Sequence, residues 1–163
     1  MSRYPIKGVV GTPFGVFRQA DGKWHWGVDI AAQPGTQVVA PEAMEVVRVW
    51  SDESPPFAGY GPGGVLARAV ALPQRYHLLA HLAPSGALVS AGDVVAEGAG
   101  VGEVSSLAHV HWEMRREAID SPESRPRNTF DPVVWVRTGQ LVERSRGAGV
   151  FLVLLALWLI SRR

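Results

Sequence analysis

The sequence predicts a mainly β domain, an antiparallel sheet joined by connecting loops, followed by a short hydrophobic C-terminal helix. Three observations carry this expectation. Eighteen glycines and twelve prolines punctuate the 163 residues at short intervals, with β-branched and apolar runs between them. No segment between residues 1 and 130 sustains a 3.6-residue hydrophobic period over three turns, so long helices are not expected there. The chain then ends on Gly147 to Ile160, fourteen consecutive residues without a charged or strongly polar side chain.

Taken in order, Gln37–Ala40, Met44–Trp50, Val65–Leu72, Tyr76–Leu82, Asp93–Ala96 and Val110–Met114 read as strands, each bounded by turn-forming residues. Glu117 to Asn128 mixes charge, serine and proline and reads as a loop. Asp131-Pro132-Val133-Val134-Trp135 starts a short helix or forms a final apolar clasp. The expected organisation is a domain over residues 1–139, a linker over 140–146 and an apolar tail over 147–160. As a helix that tail reaches about 21 Å, short of the ~30 Å hydrocarbon core of a bilayer. Arg144 and Arg146 precede it, Arg162 and Arg163 follow it, and their long side chains can reach the interface. Being apolar all round, it is expected to insert in a membrane; the alternative is a helix buried against a partner or another copy of the chain. Met1 to Lys7 has no apolar core of the kind a secretory signal needs.

Charge is nearly balanced, 16 Lys plus Arg against 15 Asp plus Glu. No basic stripe interleaved with aromatics appears, so nucleic acid is not an expected partner. With no cysteine, disulfides and thiolate metal sites are excluded, while the compartment stays open. Any metal must be held by His, Asp or Glu.

The histidines then become informative, because there are only five. Four fall in His25-Trp26-Gly27-Val28-Asp29, at His81, and in His109-Val110-His111. In extended chain, alternate residues share a face, which groups His25 with Asp29 and His109 with His111 and Glu113. Imidazole from one segment, with imidazole and carboxylate from another, makes an open zinc site whose fourth position takes water. Such a metal lowers the pKa of bound water toward ~7, and spare imidazoles can take the proton or stabilise an oxyanion. Each residue alone also has a plain structural explanation, and a His-x-His pair arises by chance. Glu113 is read as bracing a ligand histidine, or else as an ordinary solvated strand residue. His77 shares the parity of His81 and is read as flanking the groove or packing within it. Trp24 and Trp26 flank His25 and either line the groove or pack against the sheet. Asp93, Glu103 and Asp131 are given turn or surface roles.

Ordered motifs strengthen the reading. Gly11-Thr12-Pro13-Phe14-Gly15, His25 to Ala31, Pro34 to Pro41, Gly59-Tyr60-Gly61, Leu79-Ala80-His81-Leu82, Gly92-Asp93-Val94-Val95 with Gly98 and Gly102, His109 to Glu113, and Thr129 to Pro132 follow one another. Over about residues 8 to 136 the chain resembles the lysostaphin-type (LytM-like) zinc endopeptidases that cut peptide cross-links in bacterial peptidoglycan. The resemblance implies one zinc ion held by His25, Asp29 and His111, with His81 and His109 as the catalytic pair. All five positions are filled, which implies a competent enzyme rather than a lapsed one. Leu79 stands where the family has tyrosine, Ala108 where it has glycine, and Val110 where it has leucine.

The expected function is therefore a zinc metalloendopeptidase acting on stem peptides or cross-links of peptidoglycan, in cell-wall lysis or remodelling. It would be membrane-associated through its tail while acting on the wall. One alternative is a non-catalytic, zinc-stabilised binding or activator module tethered by that tail. Another is a structural, wall-penetrating component of a phage particle or lysis assembly, with the tail packed against neighbouring protein.

Overall fold

The apolar runs find their partners across one large antiparallel sheet. A computed structural model of the chain describes residues 3–52, 59–118 and 128–139. Its strands are β1 (Val9–Val10), β2 (Phe17–Arg18), β3 (Lys23–Trp24), β4 (Val28–Ala31), β5 (Gln37–Val39) and β6 (Met44–Trp50). They continue as β7 (Gly64–Ala69), β8 (Tyr76–Ala80), β9 (Val94–Val95), β10 (Gly100–Glu103), β11 (His109–Arg115) and β12 (Thr129–Phe130). The main sheet runs β1-β4-β11-β8-β7-β6-β9, with β12 paired to the far end of β11. β5 pairs with β10, and β2 with β3 forms a hairpin ahead of β4. Every described pairing is antiparallel.

Period-two alternation sorts side chains between the two faces of this sheet. On one face Val28 and Ile30 of β4, Val110, Trp112 and Met114 of β11, Leu79 of β8 and Val65 and Ala67 of β7 are buried in the main core. On the other, Leu66, Leu78 and Ala80 join Trp50 and Tyr60 in a smaller buried cluster. β11 is the hinge of this division, since residues 110, 112 and 114 serve the main core while 109, 111, 113 and 115 face the other way.

Asp131-Pro132 starts a helix, α1 (Pro132–Thr138). The Asp131 side chain accepts from the backbone N–H groups of Val133 and Val134 at 2.9 and 3.3 Å, and proline at the first helical position has no N–H to satisfy. Trp135 is the clasp: it is buried and meets Trp112 edge-on with ring centroids 6.2 Å apart. Among the described residues no helix is long and apolar enough to cross a membrane. The linker 140–146, the tail Gly147 to Ile160 and most of the 117–128 loop lie outside the described residues.

His77 is where the structure corrects the sequence reading. It lies opposite Met114 in the β8–β11 pairing, so its side chain points to the main core and away from the groove. Parity with His81 misled because β8 ends at Ala80, and His81 leaves the strand with φ at +64°. His77 instead joins a buried polar group under α1. The Trp112 indole N–H donates to its Nδ1 at 3.1 Å, which leaves the proton on Nε2 to donate to Glu42 at 2.6 Å. Arg75 donates to the same carboxylate through Nε at 2.7 Å, and its guanidinium lies 5.0 Å over the Trp135 ring. Burial pushes the His77 pKa down, opposed by Glu42, so the ring stays neutral and the pattern is satisfied without a buried cation on it.

His77→Ala strands the indole N–H of Trp112 and should cost about 1–3 kcal/mol of stability while divalent-metal binding is retained. Denaturant unfolding measures the first and metal titration the second. An unchanged midpoint would show that this network does not hold the clasp.

Candidate metal centre

β4 and β11 are neighbours, and their register sets His111 directly opposite Asp29. Directly opposed residues point to the same face, so the two side chains meet without any loop having to bend. His25 enters from the turn after the β2–β3 hairpin. Its backbone is strapped by Val16, whose carbonyl accepts from His25 N–H at 2.8 Å, and by Gly15, whose N–H donates to His25 O at 2.7 Å. Gly27 allows this turn to close on β11: a Cβ there would come within 2.6 Å of Trp112 O and 2.9 Å of His111 Cε1.

Three atoms converge. His25 Nε2 lies 3.0 Å from Asp29 Oδ1 and 3.0 Å from His111 Nδ1, and His111 Nδ1 lies 2.8 Å from Asp29 Oδ1. The outer nitrogens are already engaged. His25 Nδ1 sits 3.0 Å from the carbonyl of Pro13, which can only accept, so the proton belongs on Nδ1. His111 Nε2 is 2.9 Å from Glu113 Oε1, and a carboxylate again calls for the N–H. Both histidines thus turn bare lone pairs toward each other and toward a carboxylate. That donor set fits a divalent ion taking nitrogen and oxygen ligands, and these three residues can hold one.

The electrostatics agree with a site made for positive charge. Burial alone would lower the His111 pKa, but its hydrogen bonds to Asp29 and Glu113 carry it up to about 9. Asp29 is driven the other way; burial would raise it, yet the two histidines hold it well below the usual carboxylate range. Glu113 is likewise kept ionised, against burial, by Arg115 and His111.

His81 and His109 stand beside the cluster. Their ring centroids are 4.5 Å apart, and His81 is 5.9 Å from His111. His109 Nδ1 donates to Leu107 O at 2.8 Å, which leaves Nε2 as an acceptor. Burial, then repulsion from His111 and His109, lowers the His81 pKa to about 4, so it is neutral over the physiological range. Its Nδ1 is buried without a hydrogen-bond partner among the described residues. The tautomer with a bare Nδ1 and a proton on Nε2 avoids a stranded buried donor. Ala108, which leads into His109, has φ of +56°, the left-handed conformation that a glycine adopts without strain.

The five residues singled out from the sequence are therefore adjacent, and Glu113 is buried against His111 rather than solvated. Trp24 is 41% exposed on β3, with its ring 5.0 Å from Phe17, so it lies on the hairpin and not in the core. Trp26 is half-buried, edge-on to Phe14 at 6.3 Å. Two neighbours went unread in the sequence: Arg115, whose Nε donates to Glu113 Oε2 at 2.7 Å, and Tyr60, whose hydroxyl donates to Glu113 Oε1 at 2.9 Å. The strand alternation could have found Arg115, two residues beyond Glu113 on the same face. Tyr60 stands in the Gly59-Tyr60-Gly61 motif, but nothing local to that loop signals its contact with Glu113.

Comparison with known proteins bears on the fold and the family. No curated protein matches the chain. Solved structures do, among them Csd3 from Helicobacter pylori, with 21% identity and a TM-score of 0.63 over 90% of this chain and 35% of that one. The chain thus spans about a third of the length of Csd3. The catalytic domain of the antimicrobial peptidase lysostaphin from Staphylococcus simulans is 20% identical, with a TM-score of 0.59, over 80% of this chain and 91% of that one. A mutant catalytic domain of the prophage-encoded M23 protein EnpA from Enterococcus faecalis is 24% identical, with a TM-score of 0.59, over 75% of this chain and 94% of that one. These likenesses establish a lysostaphin-type fold. The family model described as Peptidase family M23 matches residues 23–126, which is more than half of the sequence and includes His25, Asp29, His81, His109 and His111. The chain belongs to peptidase family M23.

Proposed function

We propose that the protein is a zinc metalloendopeptidase that hydrolyses peptide bonds of bacterial peptidoglycan, with His25, Asp29 and His111 as metal ligands and His81 and His109 as the catalytic pair. One observation carries the reading: three lone-pair atoms converge within 2.8–3.0 Å of one another, beside two further histidines. Family membership supports the peptidase chemistry. In this reading residues 1–139 are the peptidase domain, with 140–146 linking to the apolar tail over 147–160.

A zinc ion held by His25, Asp29 and His111 would supply Lewis acidity toward a water and an amide carbonyl. The chain supplies the proton traffic. His109, held by Leu107 O, receives the proton of the attacking water on Nε2 and returns it to the leaving amine. His81, neutral and protonated on Nε2, donates to the negative charge that develops on the scissile carbonyl oxygen. In this reading Trp24 and Trp26, which flank His25, line the substrate groove.

The decisive experiment is mass spectrometry of peptides released from purified sacculi, with and without chelator. Release that needs metal, is restored by zinc, and falls by about 10²–10⁴ in His81→Ala with metal content intact is the expected result. Zinc bound at the site with no release from several wall chemistries would replace the enzyme by the tethered regulatory module. His111→Ala and Asp29→Ala should lose both metal and activity, and stoichiometric zinc in either would show that the ligands are misassigned.

Acid and base act on different groups. In the metal-free protein the His111 pKa rises from 6.5 to about 9, so its stabilising contribution is full below pH 6.5 and disappears as pH rises toward 9. Zinc must displace that proton at neutral pH. Calorimetric zinc titrations at pH 7 in buffers of different ionisation enthalpy should report release of about one proton, with affinity increasing as pH is raised. An enthalpy independent of buffer would rule out His111 as the protonated ligand.

A further inference from the structure

We propose that Tyr60 is a positioning residue that ties the two halves of the site together, its hydroxyl setting His111 through Glu113 and its backbone carbonyl setting His81. The inference rests on the metal-ligand reading given above. Tyr60 is buried, packed with Trp50, Leu66, Leu78 and Ala80 on the same face of the sheet as His111 and Glu113. Its hydroxyl donates to Glu113 Oε1 at 2.9 Å and accepts from Arg115 Nη2 at 2.6 Å. The same Oε1 accepts from His111 Nε2 at 2.9 Å, and Arg115 Nε closes the ring onto Oε2 at 2.7 Å.

This ring does two things to His111. Donors from three residues converge on the buried Glu113 carboxylate, and the oxygen facing His111 Nε2 orients the imidazole with Nδ1 aimed at the metal position. It also fixes the carboxylate in rotation, because Oε1 is shared between imidazole and phenol while Oε2 is held by the guanidinium. The phenol donates to the carboxylate and accepts from the arginine at once.

The main chain of the same residue serves the other half. His81 N–H donates to Tyr60 O at 3.2 Å, just where His81 leaves β8 in a left-handed conformation. The next residue, Gly61, has φ of +75°, and a Cβ there would lie 2.3 Å from His81 Nδ1. The loop that inserts the Tyr60 ring therefore also seats the His81 imidazole. Displacement of this one loop moves a metal ligand's brace and a catalytic group together.

The test measures zinc affinity by chelator competition, and the d–d spectrum of the cobalt-substituted protein, for Tyr60→Phe and for Leu66→Val as a packing control in the same cluster. Tyr60→Phe keeps ring and backbone and removes only the hydroxyl; it should weaken zinc by about 10-fold or more and alter the cobalt spectrum. Leu66→Val should lower stability with zinc affinity kept within about twofold, as a lost methylene costs packing alone. Gly61→Ala should lose at least about 10-fold in peptide release, because it displaces the His81 ring. Wild-type zinc affinity in Tyr60→Phe, or an equal loss in Leu66→Val, would overturn the tie to His111. Full peptide release by Gly61→Ala would overturn the tie to His81. Failure of the wild-type protein to bind zinc would overturn the metal reading itself, and this proposal with it.

Discussion

Two imidazole nitrogens and a carboxylate oxygen held 2.8–3.0 Å apart cannot all keep their lone pairs in a buried setting without positive charge among them. A proton answers this for one pair of atoms; a divalent ion answers it for all three. Two protons are held on the outside, on His25 Nδ1 by Pro13 O and on His111 Nε2 by Glu113, so in the metal-free protein a further proton on His111 Nδ1 relieves the crowding. The rest of the domain can be read as the means of sustaining this unfavourable meeting. The raised pKa of His111 and the depressed pKa values of Asp29 and Glu113 express the same demand in three places.

Sustaining it takes a rigid support, and the antiparallel sheet provides one. Asp29 and His111 are opposed across the β4–β11 ladder, so their separation is fixed by backbone hydrogen bonds rather than by loop conformation. Behind them, Val110, Trp112 and Met114 fill the main core and lock the strand against lateral movement. The buried ionic groups are divided between the faces. Glu113 and Arg115 serve the metal side, whereas Glu42, Arg75 and His77 secure α1 through Trp112 and Trp135. Each group is paired and hydrogen-bonded, which a buried charge requires.

The sheet and the centre of the site were legible in the sequence to different depths. The longer strands, β6, β7, β8 and β11, have enough alternating or apolar residues to declare themselves, and Asp131-Pro132 offered α1 as one of two readings. The two-residue strands β1, β2, β3 and β12 could not, because their pairing is decided by neighbours distant in the chain, whereas β9 was read within Asp93–Ala96. β4, the partner of β11, was recognised as the bearer of Asp29 but not bounded as a strand. His25 with Asp29 and His109 with His111 stood out by residue type and spacing, four and two residues apart, while His81 took its place from the family resemblance. His77 was misplaced because parity was carried through His81, where the strand has already ended. Tyr60 was invisible in its role for a different reason: its hydroxyl reaches Glu113 across 53 positions of sequence, and no periodicity spans that distance.

Both faces of β11 are committed. His111, Glu113 and Arg115 form one set, Val110, Trp112 and Met114 the other, and adjoining strands hold its edges. Inserting or deleting a single residue there would exchange the two sets, sending imidazole and carboxylate into the hydrocarbon interior and tryptophan toward the ligand. No gradual series of lengths connects one working register to the next. Natural variation in domains of this kind, and any attempt to redesign one, must therefore change the connections between strands and leave the length of this strand untouched.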